Sequence, residues 1–223
     1  MVYYRKETLA TGEIYHVFSR SIAGFRIFNG DAESGRLIEA MRFFQKEKAP
    51  MRFFKFIELR QTGEMDSDQM FEWSRQEHLV QICAYCIMPT HIHIILKQLK
   101  ENGISTFMRH VLNSYARYLN SKLKRKGPLW ENSFKNVLVQ TDEQLLHLTR
   151  YLHINPTTAG LVEKPEDWYG SSYHEYLSKV PADESVCEFD NVLNIEPDSY
   201  REFVEDQISY QRDIAVIKKL TLE

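Results

Sequence analysis

The 223-residue sequence predicts an α+β fold, an antiparallel sheet with helices packed on one face, followed by a C-terminal helical tail. Three observations carry this. Residues 79–87 and 91–98 are short, apolar, β-branched runs on either side of the turn-forming Met88-Pro89-Thr90, which reads as two adjacent antiparallel strands. Residues 144–156 place Leu145, Leu148 and Leu152 at helical spacing behind a capping Thr141 or Asp142. Strand-type and helix-type runs also alternate irregularly along the chain, with no internal repeat.

Taken in order, residues 13–20 read as the first strand, and residues 31–48 as a helix with Asp31 as cap and Leu37, Ile38, Met41 and Phe44 on its inner face. Residues 53–59 read as a second strand. The polar stretch 61–77 reads as an insertion with a short helix capped by Asp66 or Ser67. The two strands at 79–87 and 91–98 follow. A long basic helix over 104–126 ends at Gly127-Pro128. A strand over 130–140 leads into the helix at 144–156, which Pro156 should terminate at Asn155. Residues 1–179 form one predicted domain with a single core. Residues 180–223 form an acidic tail with an apolar anchor at residues 192–195 and a helix over 199–219.

The chemistry concentrates in two places. His91 and His93 alternate with Ile92 and Ile94, so both imidazoles leave the same strand face, roughly 7 Å apart, while the aliphatic residues face the core. Such a pair suits two metal ligands awaiting a third. Half-buried histidines satisfied by hydrogen bonds are the plainer reading. On the helix, Tyr151 and Asn155 are four apart and share a face. A phenol one turn from a carboxamide oxygen suits a nucleophile beside a metal ligand, and a rim tyrosine with a helix-capping asparagine accounts for the same residues more simply. His91, His93 and Asn155 together favour Mg²⁺ or Mn²⁺ over a closed zinc site, which would add thiolates or further imidazoles. His153 is expected to face solvent, and His147 to be a surface histidine.

The net charge of −3 conceals two opposed regions. Residues 97–135 hold nine Lys and Arg against two Glu, whereas residues 181–223 hold four against eleven Asp and Glu, so the overall charge does not exclude nucleic acid. Arg109, Arg117, Lys122, Lys124, Arg125 and Lys126 are interleaved with Phe107, Tyr115, Tyr118 and Trp130. Cations for phosphates and rings for unstacked bases fit single-stranded DNA, although a solvated helix with an ordinary apolar stripe would share the pattern. Three cysteines do not make a disulfide framework. Cys83 and Cys86, three apart on a strand, should face opposite sides. The polar N-terminus and the lack of a long apolar run lead us to expect a cytoplasmic protein with no membrane partner.

The two chemical segments together resemble a known family. A strand bearing His-hydrophobic-His, followed downstream by Tyr-x-x-x-Asn-Pro on a helix, is similar to the HUH single-tyrosine transposases, and most of all to the REP-associated tyrosine transposases. Residues 15–20 (Tyr-His-Val-Phe-Ser-Arg) resemble the family's first strand, and residues 103–108, 127–135, 159–162 and 171–173 resemble later segments, so the likeness covers residues 12–177. It implies a ferredoxin-like core and a DNA strand transferase that cleaves and rejoins hairpin-containing single-stranded DNA. It further implies a 5′-phosphotyrosine at Tyr151, His91, His93 and Asn155 as ligands of the divalent metal, and DNA contacts that include Arg20, Trp130 and Lys135 with the basic helix. Whether a homodimer forms is open. Thr90 stands where relatives usually carry Asn, Ser133 replaces a common Arg, and Thr157-Thr158 lack a basic residue. The alternative function is a non-catalytic, domesticated regulator that binds hairpin DNA. A replication initiator or relaxase would bring added domains or a second adjacent tyrosine.

Overall fold

The protein is represented by a computed structural model that describes residues 9–182, 184–208 and 210–211. Four strands, β1 (Ile14–Arg20), β2 (Val80–Met88), β3 (His91–Gln98) and β4 (Lys135–Val139), make one antiparallel sheet in the order β2-β3-β1-β4. Between β1 and β2 lie α1 (Asp31–Phe44), α2 (Phe53–Thr62) and α3 (Ser67–Ser74). Helix α4 (Gly103–Lys122) joins β3 to β4, and α5 (Asp142–Thr158), the short α6 (Tyr173–Tyr176) and α7 (Pro197–Glu205) follow. Strand order and the crossovers through α1 and α4 are those of the expected ferredoxin-like α+β core. Among the described residues, no helix is long and apolar enough to cross a membrane.

Strand alternation divides the core. Tyr15 and Val17 of β1, Ile82, Tyr85 and Ile87 of β2, and Ile92, Ile94 and Leu96 of β3 pack against Leu37 and Met41 of α1 and Ile104, Phe107, Met108 and Val111 of α4. Each such side chain, fully withdrawn from water, contributes roughly 1.5–3 kcal/mol. Gly103 lets α4 start hard against the end of the sheet, since a Cβ there would overlap the Leu79 carbonyl oxygen. The opposite face is covered as well, over its β2 side, where Cys83, Cys86, Met88 and Ile95 meet Leu145, Leu152 and Ile154 of α5 and Tyr200 and Val204 of α7.

Several expectations are corrected. Residues 53–59 belong to a helix, not a strand. Phe53 and Phe56, three apart, bury together against Phe43 and Trp73, while Phe54 stays exposed. A two-residue period would have required Phe54 and Phe56 to share a fate. A bulge between Ile82 and Ala84 breaks the alternation in β2, so Cys83 and Cys86 lie in the same apolar layer as free thiols rather than on opposite faces. Pro156 does not end its helix at Asn155, because α5 runs on to Thr158. In this last turn Ala159 N–H still donates to the Asn155 carbonyl at 2.9 Å, and the missing proline donor is tolerated. Helix α4 stops at Lys122, four residues early, and Lys124 adopts φ +50° before Gly127. In the tail, Leu193, Tyr200 and Val204 are buried, and the helix expected over 199–219 is observed over Pro197–Glu205. Residues 212–219 of that expected helix lie outside the described residues.

Candidate active site

The second face of the sheet carries the site. On β3, Ile92, Ile94 and Leu96 turn into the α1–α4 core, which commits His91 and His93 to the other side. Strand β1 aligns with it so that Phe18 pairs with His93 and Arg20 with His91. Helix α5 begins at Thr141, whose Oγ accepts from Gln144 N–H at 3.1 Å, and Asp142 and Glu143 suit its N-terminal dipole. Its leucine stripe seats it on β2, and this brings Tyr151 over the histidines. The His91 and His93 rings stand edge to face with centroids 5.0 Å apart, and the Tyr151 ring meets His93 edge to face at 6.1 Å.

The imidazoles are held neutral. Burial lowers the His91 pKa to about 4, with help from the Arg20 guanidinium. Burial likewise lowers His93 to about 3, reinforced by His16, His91 and Arg20. A neutral imidazole keeps a lone pair, which is the form that ligates metal. The Tyr151 phenol is pushed up, first by burial and then by the Cys86 thiol, while Arg20 opposes the shift. The residue is still 45% exposed.

Residue scanning missed His16. Its Nε2 lies 2.9 Å from His93 Nδ1, and the two ring planes are inclined by 24° with centroids 5.1 Å apart. Strand alternation places His16 opposite Tyr15 and Val17, but only the β1–β3 register shows that it reaches His93. The other nitrogen of the pair that faces the turn, His91 Nδ1, lies 3.0 Å from Thr90 Oγ. Asn155 is half-buried one turn beyond Tyr151, and among the described residues its carboxamide has no hydrogen-bond partner. Among the described residues there is also no cluster of three His, Cys, Asp or Glu side chains disposed to hold a metal. Two neutral imidazoles and a free carboxamide nevertheless suit a divalent ion that shares its coordination with substrate oxygens.

His153 is a correction. It is fully buried, with Nδ1 2.6 Å from the Tyr200 hydroxyl and Nε2 2.9 Å from Ser172 Oγ. The helix face that was expected to meet solvent is covered by α6 and α7. His147 is exposed, as expected, with Nδ1 2.7 Å from Arg150.

The predicted DNA contacts separate into groups. A cleft beside the histidines is lined by Arg20, Lys135, Asn132 and Phe134, and a neighbouring hollow shares Asn132 and Phe134 and reaches Arg109 and Trp130. Arg117, Lys124 and Lys126 are exposed. Lys122 pairs with Glu33, and Arg125 donates to the Pro128 carbonyl at 3.0 Å and lies 5.8 Å from the Phe25 ring. Trp130 is half-buried, its indole N–H donating to the Leu112 carbonyl at 3.0 Å. Phe107 and Tyr115, expected to offer rings to bases, are buried in the core, and Tyr115 donates to the Ile27 carbonyl at 2.6 Å.

The fold thus sets a strand-borne histidine pair beneath a helix-borne tyrosine. Residues 59–155, ending on Asn155, match the family described as "Transposase IS200 like". A Haemophilus influenzae protein named for the REP-associated tyrosine transposases is 31% identical over 102 residues, which are 41% of this chain, and the chain spans only 57% of that relative's length. The solved structure of a REP-associated tyrosine transposase bound to a REP hairpin has the same fold, with a TM-score of 0.53 and 17% identity over 88% of this chain and 99% of that one. The likeness read from the motifs is thus met again in the sequence matches, and the fold in the solved structure.

Proposed function

We propose that this chain is a DNA strand transferase that cleaves and rejoins hairpin-containing single-stranded DNA through a covalent phosphotyrosine on Tyr151, with Mg²⁺ or Mn²⁺ held by His91, His93 and Asn155. One observation carries the reading most directly: an accessible phenol stands 6.1 Å, ring to ring, from the neutral His93 of a paired-histidine strand. Attack of the Tyr151 oxygen on a DNA phosphorus forms the Tyr–O–P bond, breaks the P–O3′ bond, and releases a 3′-hydroxyl that takes up a proton. The phenolic proton passes to solvent. Attack by a 3′-hydroxyl reverses the step, so no nucleotide cofactor is consumed. When bound, the cation would polarise the scissile phosphate and offset its developing charge. Arg20, which already favours the phenolate, offers a second positive charge to the same phosphate. The cleft through Asn132 and Phe134 gives a single strand a route from the site to Arg109.

The protein incubated with hairpin-bearing single-stranded DNA and Mn²⁺ should yield an adduct that survives denaturing electrophoresis. Tyr151→Phe removes only the hydroxyl, so the adduct should vanish while hairpin affinity stays within about twofold, since phosphate and base contacts lie elsewhere. An adduct that persists in this variant would place the nucleophile on another residue. Tight hairpin binding without an adduct on any substrate would turn the assignment to the non-catalytic regulator.

A further inference from the structure

We propose that Thr90 and His16 are positioning residues that hold His91 and His93 with a proton on Nδ1 and so present both Nε2 atoms to the divalent cation. The proposal rests on the metal-assisted reading of the same site. Both histidines are engaged at the same ring atom: His91 Nδ1 lies 3.0 Å from Thr90 Oγ, and His93 Nδ1 lies 2.9 Å from His16 Nε2. Among the described residues, neither Nε2 has a protein hydrogen-bond partner. Two ligands on one strand are therefore prepared in the same way by groups from two different places, a turn hydroxyl and a neighbouring strand.

The chemistry requires such partners. A neutral imidazole has one N–H and one lone pair, and in water the proton prefers Nε2, which would block the atom that faces the site. An Nε2 that is to accept a cation needs the proton on Nδ1, and that proton needs an acceptor. Thr90 Oγ and His16 Nε2 are the two acceptors within reach. For His16 this fixes its own proton on Nδ1 and excludes it as a third ligand through Nε2, because that lone pair is already used. The two imidazole planes are inclined by only 24°, which lets the His16 lone pair meet the His93 N–H nearly in plane, and the Phe18 ring packs 5.3 Å away. An outer-shell partner of this kind typically changes metal affinity 10–100-fold.

The test separates tautomer from metal. Long-range ¹H–¹⁵N spectra of the full chain without metal should show His91 and His93 as Nδ1–H tautomers. His16→Phe keeps a ring of similar size but has no acceptor, so His93 should change to Nε2–H. Mn²⁺ binding, followed by loss of the free-ion resonance in electron paramagnetic spectra, should weaken at least tenfold. His16→Gln restores an acceptor and should recover most of the affinity, and Thr90→Ser against Thr90→Val should behave likewise for His91. Adduct formation by His16→Phe should be slow at limiting Mn²⁺ and near wild type at saturation, a pattern that loss of folding would not give. Nε2–H tautomers in the wild type, or unchanged Mn²⁺ affinity in both His16→Phe and Thr90→Val, would overturn the assignment and leave the metal reading intact. The expected tautomers with no Mn²⁺ binding by the wild type would overturn the metal reading, and the positioning role with it.

Discussion

At the scale of single residues, burial and one cation act in opposition on the Tyr151 phenol. Burial keeps His91 and His93 neutral, each with a lone pair for the proposed cation, and it also disfavours the phenolate that the proposed attack by Tyr151 would use. Arg20 acts in the useful direction on all three, disfavouring imidazolium and favouring phenolate. Arg20→Gln removes that charge but keeps a polar side chain at the edge of β1. The rate of adduct formation should fall by roughly tenfold, the equivalent of about 1.4 kcal/mol in the transition state. Hairpin affinity should fall less, because one phosphate contact among several is lost. Single-turnover rates at saturating DNA would measure the first effect, and a rate equal to wild type would remove Arg20 from the chemistry.

At the scale of elements, the tyrosine helix depends on the tail helix. Tyr200 of α7 donates to Thr149 Oγ at 2.9 Å and meets His153 Nδ1 at 2.6 Å, both on α5. Arg150 adds a bond to the Phe203 carbonyl at 3.3 Å and lies 4.1 Å from the Phe203 ring centroid. Tyr200→Phe leaves the buried His153 Nδ1 without its partner, while Thr149 Oγ keeps its bond to the Leu146 carbonyl, and should destabilise the protein by ~1–3 kcal/mol, read as a lower urea midpoint. The same network ties stability to pH. His153 has its pKa lowered from 6.5 to about 3 by burial, so the unfolded chain binds the proton first as pH falls. Its contribution is complete above about 6.5 and is lost as pH drops toward about 3, with a slope of up to ~1.4 kcal/mol per pH unit. Urea titrations at pH 7 and pH 5 should show a smaller difference for His153→Gln than for wild type. An equal difference would mean that other groups control the acid limb.

At the scale of the whole molecule, charge is sorted by place rather than by total. Helix α4 starts beside Leu79 and carries the chain to the other end of the sheet, where Ile22 N–H donates to the Leu129 carbonyl and Glu131 N–H to the Arg20 carbonyl. This brings the loop after α4 to the same end as Arg20 and His91. Lys122 and Arg125 are engaged within the protein, whereas Arg109 and Lys135 border the connected hollows. Arg109→Ser with Lys135→Ser should weaken hairpin binding and flatten its dependence on log salt by roughly 1.4, the slope of two phosphate contacts on a single strand. Lys122→Gln should leave that slope unchanged. Equal slopes in wild type and the double variant would show that the strand follows another path.

Whatever depends on local periodicity and on residue chemistry was legible in the linear chain. Alternation in β3 put His91 and His93 on one face, helical spacing put Tyr151 and Asn155 on another, and the turn at residues 89–90 joined β2 to β3. Those signals are short-range, and so they survive in a linear reading. Tertiary structure alone decided what lies against them. The run at residues 53–59 has no decisive period, and the aromatic cluster of α1, α2 and α3 made it helical. Phe107 and Tyr115 carry the same ring in a core as on a DNA surface, and only the packing of α4 on the sheet fixed which it was. The bulge at Cys83, the covering of His153 by α7, and the reach of His16 to His93 all join residues far apart in the chain. Contacts of that kind depend on register and docking, which are properties of the assembled sheet and helices and are written in no single stretch of sequence.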